Sequence, residues 1–272
     1  IESRFCASHP SPEAKRAASA RFAVDRELQT HQRRAPADCT SLTNINLHWH
    51  VIQANETYEG GFLTDTQLGA QMDFLNSEWA KFAPIKFTLV NTTRNTDEEG
   101  FLYAREKKSD IKDRLWNTLH TGGEQDLNVY SVSFSIVPDL RGFSSFPDEY
   151  KATPVQDGLF IKWNSLPGGS LKSNGGSLVH EVGHWLGLYH TWQNGCDEAN
   201  DEVDDTPAED PVNAGRDTHS CPASFDSCPN MPGQDPIHNY MTYASDDCRT
   251  ELTPGQIERV RTQISTYRGI NL

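Results

Sequence analysis

The segment His180-Glu181-Val182-Gly183-His184-Trp185-Leu186-Gly187-Leu188-Tyr189-His190 holds the densest set of chemically capable side chains in the chain. Residues four apart on a helix lie about 40° apart around its axis, so His180 and His184 share a face and can grip one ion. Glu181 stands beside that face, within reach of a water on the ion. Gly187 can take a backbone conformation closed to other residues, so the helix can stop and the chain can bring His190 round as a third ligand. Three neutral imidazoles with an open fourth position form the donor set of a catalytic zinc, not of a closed structural one. The chemistry expected of such a site is metal-assisted hydrolysis: zinc would polarise a carbonyl and activate water, and Glu181 would take the water proton and pass it to the leaving group. A bare His-Glu-x-x-His arises by chance in many helices. Here His180, Glu181, His184, Gly187 and His190 stand together, which weighs against a helix that merely buries histidines.

Other elements must position that segment. Residues 11–31 are expected to form a helix lying across the main body, with Ala17, Ala18, Arg21, Phe22, Val24 and Leu28 at helical spacing. Residues 45–52 alternate and read as a strand, as do 85–92, 127–137 and 158–163; 64–82, ended by Pro84, and 108–120 read as helices. The tail after residue 190 is mostly loop, and Thr253-Pro254-Gly255-Gln256 opens a closing helix that turns Ile257, Val260, Ile264 and Tyr267 inward. The substrate is expected to lie extended along an edge strand of the sheet, placed within 158–166.

With 272 residues the chain suits one domain or two subdomains around a cleft, and its 36% hydrophobic and 10% aromatic content argues for a packed core. The absence of any run of 18 apolar residues excludes a spanning helix. A net charge of -14 disfavours nucleic acid as a partner. Six cysteines and two sequons, at Asn55 and Asn91, favour a secreted glycoprotein. The chain starts at Ile1 with no apolar leader, and reads as a form whose signal segment has been removed. Residues 197–210 hold eight acids and no base; such a loop is either solvated or gathered around a cation, and its oxygen donors suit calcium.

Downstream of the histidines lies Asn239-Tyr240-Met241-Thr242-Tyr243. The extended zinc motif followed by a methionine turn resembles the metzincin metalloproteases. The stretch from Asp201 to Pro207, with Asn-Tyr-Met-x-Tyr-x-x-Asp-Asp-Cys, is similar to the pappalysin family, especially its short secreted fungal and archaeal members, over about residues 177–256. The resemblance implies an α+β metzincin-type zincin. It would have a twisted mixed N-terminal sheet with backing and active-site helices, and a loop-rich C-terminal subdomain ending in a helix. The expected divisions are an extension over 1–40, a catalytic subdomain over 41–190 and a C-terminal subdomain over 191–272. It implies one catalytic zinc, and Met241 as an apolar floor beneath the histidines, with Met231 as the competitor. Tyr243 would stabilise the reaction intermediate. One or two structural calcium ions are expected on Asp201, Asp204 and carbonyls near Val203 and Thr206.

The resemblance further suggests the disulfides Cys196–Cys228 and Cys221–Cys248. Cys6 either pairs with Cys39, pinning the N-terminal helix, or acts as a latency thiolate on the zinc; the even cysteine count favours the disulfide. Selection of Arg or Lys after the scissile bond would come from Asp247, with Asp246 as second candidate. The function expected is a secreted, monomeric zinc endopeptidase acting on proteins or peptides. The alternative is a secreted calcium- or zinc-binding module without activity, against which the intact Glu181 argues.

Overall fold

A computed structural model describes residues 6–30, 42–105, 110–171, 173–197, 200–211, 221 and 224–272. The elements run α1 (Pro12–Thr30), β1 (Thr43–Gln53), α2 (Asp65–Trp79), β2 (Ile85–Thr96), α3 (Glu98–Tyr103), α4 (Asp110–Leu119), β3 (Leu127–Val132), β4 (Gly142–Ser144), β5 (Leu159–Lys162), α5 (Gly176–Trp185) and α6 (Pro254–Arg268). The strands form one sheet in the order β2-β1-β3-β5-β4, all parallel except β4, which runs antiparallel to β5.

Alternation along β1 decides the two layers. Ile45, Leu47, Trp49 and Val51 face a core shared with α2, α5 and α6, among them Leu68, Leu75, Val179, Val182, Val260 and Ile264. The opposite face carries Ile52, Tyr130 and Phe160 beneath Phe101, Leu115 and Trp116 of α3 and α4. Both α2 and α6 begin with a capping box, Thr64 with Gln67 and Thr253 with Gln256, which satisfies N–H groups the first helical turn leaves open.

Three expectations change. The strand expected over 127–137 stops at Val132, because Ser133 and Ser135 donate their backbone N–H groups to Phe101 and Leu102 of α3 rather than to the sheet. The strand within 158–166 is not an edge: β5 is paired on both sides, and the edge strand beside it is the short β4 over 142–144, which carries no alternation long enough to read. Finally, α1 is a helix, but of the residues at its helical spacing Val24 is 58% exposed, while Arg21 and Phe22, with Lys15 beside them, hold the helix to the body.

Candidate metal centre

The short helix α5 carries His180, Glu181 and His184, all buried. It ends at Trp185, and Gly187 turns the chain at φ +105, where a Cβ would meet the Gln263 side chain at 2.6 Å. Leu188 N–H then bonds to Gly183 O at 2.9 Å, and His190 arrives beside the other two imidazoles. The three Nε2 atoms lie 3.1–3.2 Å apart.

Neutral imidazole carries one N–H, and its position here follows from the partners. His180 Nδ1 lies 2.6 Å from Tyr240 O and His184 Nδ1 lies 2.7 Å from Leu188 O. Carbonyl oxygens only accept, so both Nδ1 atoms hold the proton and both Nε2 lone pairs point inward. Burial pushes the His184 imidazole down to about 3, and burial with neighbouring histidines holds His180 and His190 well below their ordinary range. Converging lone pairs without a proton call for a cation. Nitrogens bound tetrahedrally to zinc at about 2.05 Å are roughly 3.3 Å apart, so this spacing fits that ion.

Met241 lies fully buried under α5, and a Cβ on Gly183 would come 2.5 Å from its sulfur. The turn is anchored by Met241 N–H to Asn239 Oδ1 (2.9 Å) and by Asn239 to Gln256 at the start of α6 (2.8 Å). Glu209, counted in the sequence as one acid of a loop, is buried and accepts from Thr191 (2.6 Å) and Thr242 (2.9 Å), tying the segment after His190 to the methionine turn. Burial lifts its carboxyl to about 7.

The N-terminal segment runs into this centre. Cys6 Sγ and the three histidine donors all lie within 4.8 Å of one another. The Cys6 thiol donates to Glu181 Oε2 at 3.4 Å, as does Ser8 Oγ at 3.4 Å. Ala7 N–H bonds to Gly142 O at 3.1 Å, and Ser144 N–H to Ser8 Oγ at 2.7 Å, so residues 6–8 lie along the edge strand β4. Tyr243 donates its hydroxyl to Cys6 O at 2.7 Å, and His9 packs 4.9 Å from the His190 ring and 5.0 Å from the Trp192 ring. Burial pushes Glu181 up to about 8. Burial, then the Glu181 charge, lifts the Cys6 thiol; a cation among the Nε2 atoms acts in the opposite direction. The pairing of Cys6 with Cys39 is corrected here: Cys6 is a thiol at the histidine cluster, 175 residues from its Glu181 partner, and Cys39 lies outside the described residues.

Of the remaining expected residues, both C-terminal disulfides are formed, Cys196–Cys228 and Cys221–Cys248. Asn55 and Asn91 are exposed. Asp201 and Thr206 are buried, whereas Asp204 is exposed and Val203 O accepts from Thr206 N–H at 3.2 Å. Asp247 is exposed; the buried acid of that segment is Asp246. Sequence reading gave no role at the site to Ser8, His9, Gly142 or Glu209. Their partners lie far away in the chain, so no local spacing marked them.

The fold and the buried His180-His184-His190 cluster above a methionine turn define a zinc metalloendopeptidase of the metzincin type. The family model described as pregnancy-associated plasma protein-A matches residues 105–265, and the chain belongs to that family, peptidase M43, the pappalysins. An extracellular metalloprotease of Verticillium alfalfae is 39% identical over 233 residues, covering 83% of this chain and 77% of the relative. One from Pyricularia oryzae is 34% identical over 271 residues, covering 98% and 91%. Among solved structures, a promirolysin mutant from Tannerella forsythia superposes with a TM-score of 0.71 at 24% identity, covering 97% of this chain and 95% of that one. Mature mirolysin in complex with a cleaved peptide gives 0.63 at 24% identity, covering 84% and 98%.

Proposed function

We propose that this chain is the latent form of a secreted, monomeric zinc endopeptidase, in which His180, His184 and His190 hold the ion and Glu181 is the general base. The observation that carries this reading is the convergence of three Nε2 atoms, 3.1–3.2 Å apart, with the Glu181 carboxyl beside them. Zinc bound there supplies the Lewis acidity that polarises a scissile carbonyl and makes water acidic. The rest is work for the chain's own groups. An extended peptide would take up the hydrogen bonds of β4 that residues 7 and 8 now use. Glu181, relieved of the Cys6 and Ser8 donors, would accept the proton of the attacking water and deliver it to the leaving amine. Tyr243, relieved of Cys6 O, would turn its hydroxyl to the developing oxyanion. Gly142 lets the edge strand approach the base: a Cβ there would lie 2.6 Å from Glu181 Oε1.

Latency is assigned to residues 6–30. Cys6 and Ser8 cover the histidines and the base. Helix α1 rests on the body through the Lys15 ammonium, which donates to Asn200 O at 2.5 Å and lies 4.9 Å from the Tyr189 ring centre, and through the Arg21–Asp148 pair at 3.1 Å. Support comes also from coverage, since the proform of mirolysin matches more of this chain than the mature form does. Secretion is supported by the extracellular relatives, by two disulfides and by exposed Asn55 and Asn91 as glycan sites.

The calcium reading narrows to Asp201 and Thr206. Asp201 Oδ2 and Thr206 Oγ1 are buried without a well-formed hydrogen bond, and such oxygen donors suit calcium. Chelating calcium at constant zinc should lower the melting temperature, an effect Asp201→Asn should abolish; unchanged melting would sink this site. The preference for Arg or Lys after the scissile bond is assigned to buried Asp246 rather than exposed Asp247. The test of the main reading is Glu181→Gln. Hydrolysis by the activated enzyme should fall by about 10²–10⁴-fold while zinc content and melting stay as in the wild type. Full activity in that variant would remove Glu181 as base.

A further inference from the structure

Resting on the endopeptidase reading, one cluster beside the metal centre bears on which side chain the enzyme accepts. It joins the segment after the methionine turn to the start of α5 and of β4. Asp246 is buried, accepts from the Ser173 hydroxyl, and is ion-paired with Arg249, which is buried too. Its Oδ1 lies 3.1 Å from where a Cβ on Gly176 would sit, so the carboxylate stands against the first turn of the zinc helix. Arg249 Nη1 donates at 3.4 Å to Tyr240 O, the same carbonyl that receives His180 Nδ1. Its charge therefore reaches both His180 and Glu181. Arg141, immediately before the edge strand, feels the charges of Asp246 and Arg249. Burial works to raise the Asp246 carboxyl, yet Arg249 and then Ser173 hold it below its ordinary range, so it is ionised and already answered.

On the endopeptidase reading, an extended substrate on β4 would pass Glu181 at Gly142 and approach, past the first turn of α5, the Asp246 cluster to which Arg141 is electrostatically coupled. A basic side chain arriving there faces one carboxylate and two guanidiniums. We infer that Arg249 is an internal counter-ion that competes with the substrate's cation for Asp246, and so sets how strongly the enzyme prefers Arg or Lys after the scissile bond. A purely structural role suits Arg249 poorly. Its Nε is buried with no hydrogen-bond partner, so the pair leaves one N–H unsatisfied, which costs stability.

The test compares kcat/KM for peptides differing only after the cleaved bond (Arg, Lys, Gln, Leu), using the full chain, zinc-loaded and activated by limited proteolysis. The wild type should favour Arg over Gln by less than about tenfold. Arg249→Gln should raise that ratio by roughly tenfold or more, chiefly through KM, and Arg249→Lys should bring it back toward the wild-type value. Adding Asp246→Asn to Arg249→Gln should erase the gain. Asp246→Asn alone should remove the modest wild-type preference, a shift of less than about tenfold, an arm that holds even if Arg249→Gln folds poorly. The inference is overturned if folded, zinc-loaded Arg249→Gln keeps the wild-type ratio, if the double variant keeps the gain, or if Asp246→Asn alone collapses a strong preference. Absence of any zinc-dependent cleavage by the wild type would instead overturn the endopeptidase reading.

Discussion

Replacing Arg268 with Met should destabilise the fold by about 3–5 kcal/mol, because it strips a buried carboxylate of its counter-ion. Arg268 closes α6 with no exposed surface, and Asp157, just before β5, is 1% exposed. Two guanidinium nitrogens meet the two Asp157 oxygens at 2.9 Å each. Trp185 Nε1 (3.0 Å) and Ser145 Oγ (2.8 Å) complete the carboxylate's partners. The guanidinium lies 3.6 Å from the Trp185 ring centre and donates to Trp185 O (3.2 Å) and Glu124 O (3.0 Å). Arg268→Met retains most of the apolar stem but leaves Asp157 with two neutral donors in a dry site. At roughly 2–4 °C per kcal/mol for domains somewhat smaller than this one, melting should fall by about 10 °C. Urea titration with the disulfides intact reads the loss as a shifted midpoint at unchanged slope. Arg268→Met with Asp157→Leu should recover much of it, since an apolar pair of similar size carries no unmet charge. A single-variant loss below about 1 kcal/mol, or a double variant no better than the single, would refute the reasoning.

His50, buried on β1 between Thr93 (3.0 Å) and Asn128 (3.0 Å), is lowered by burial to about 4. The fold therefore favours its neutral form: that contribution is complete above pH 6.5 and fades as pH falls toward 4, by about 3 kcal/mol, and urea midpoints should show a shallower acid slope in His50→Gln. Gly142→Ala should displace Glu181 and lower kcat by at least tenfold at unchanged zinc content, because the added methyl would lie 2.6 Å from the carboxylate; wild-type turnover would show that β4 can retreat.

The zinc helix was legible because its information is short-range. Two histidines four apart, a glycine that permits φ +105 and a third histidine three beyond can be read from eleven consecutive residues. The capped starts of α2 and α6 were equally local, since a capping box needs only residues three apart. Boundaries were less secure where two elements competed for the same backbone: the strand from Leu127 ended early because α3 offered carbonyl partners beyond Val132.

What tertiary structure alone decided are the contacts between distant segments. No spacing announces that three residues at 142–144 form a sheet edge, that Cys6 meets Glu181 across 175 residues, or that Arg268 answers Asp157 across 111. Likewise Asp246 and Asp247 are chemically identical in the sequence. One is buried on Ser173 and Arg249 and the other exposed, because adjacent side chains leave the backbone in different directions and only the packed fold decides which direction is inside. Helix periodicity and ligand spacing are properties of a chain a few residues long, whereas an edge, a burial or a counter-ion is a property of whatever the fold brings alongside.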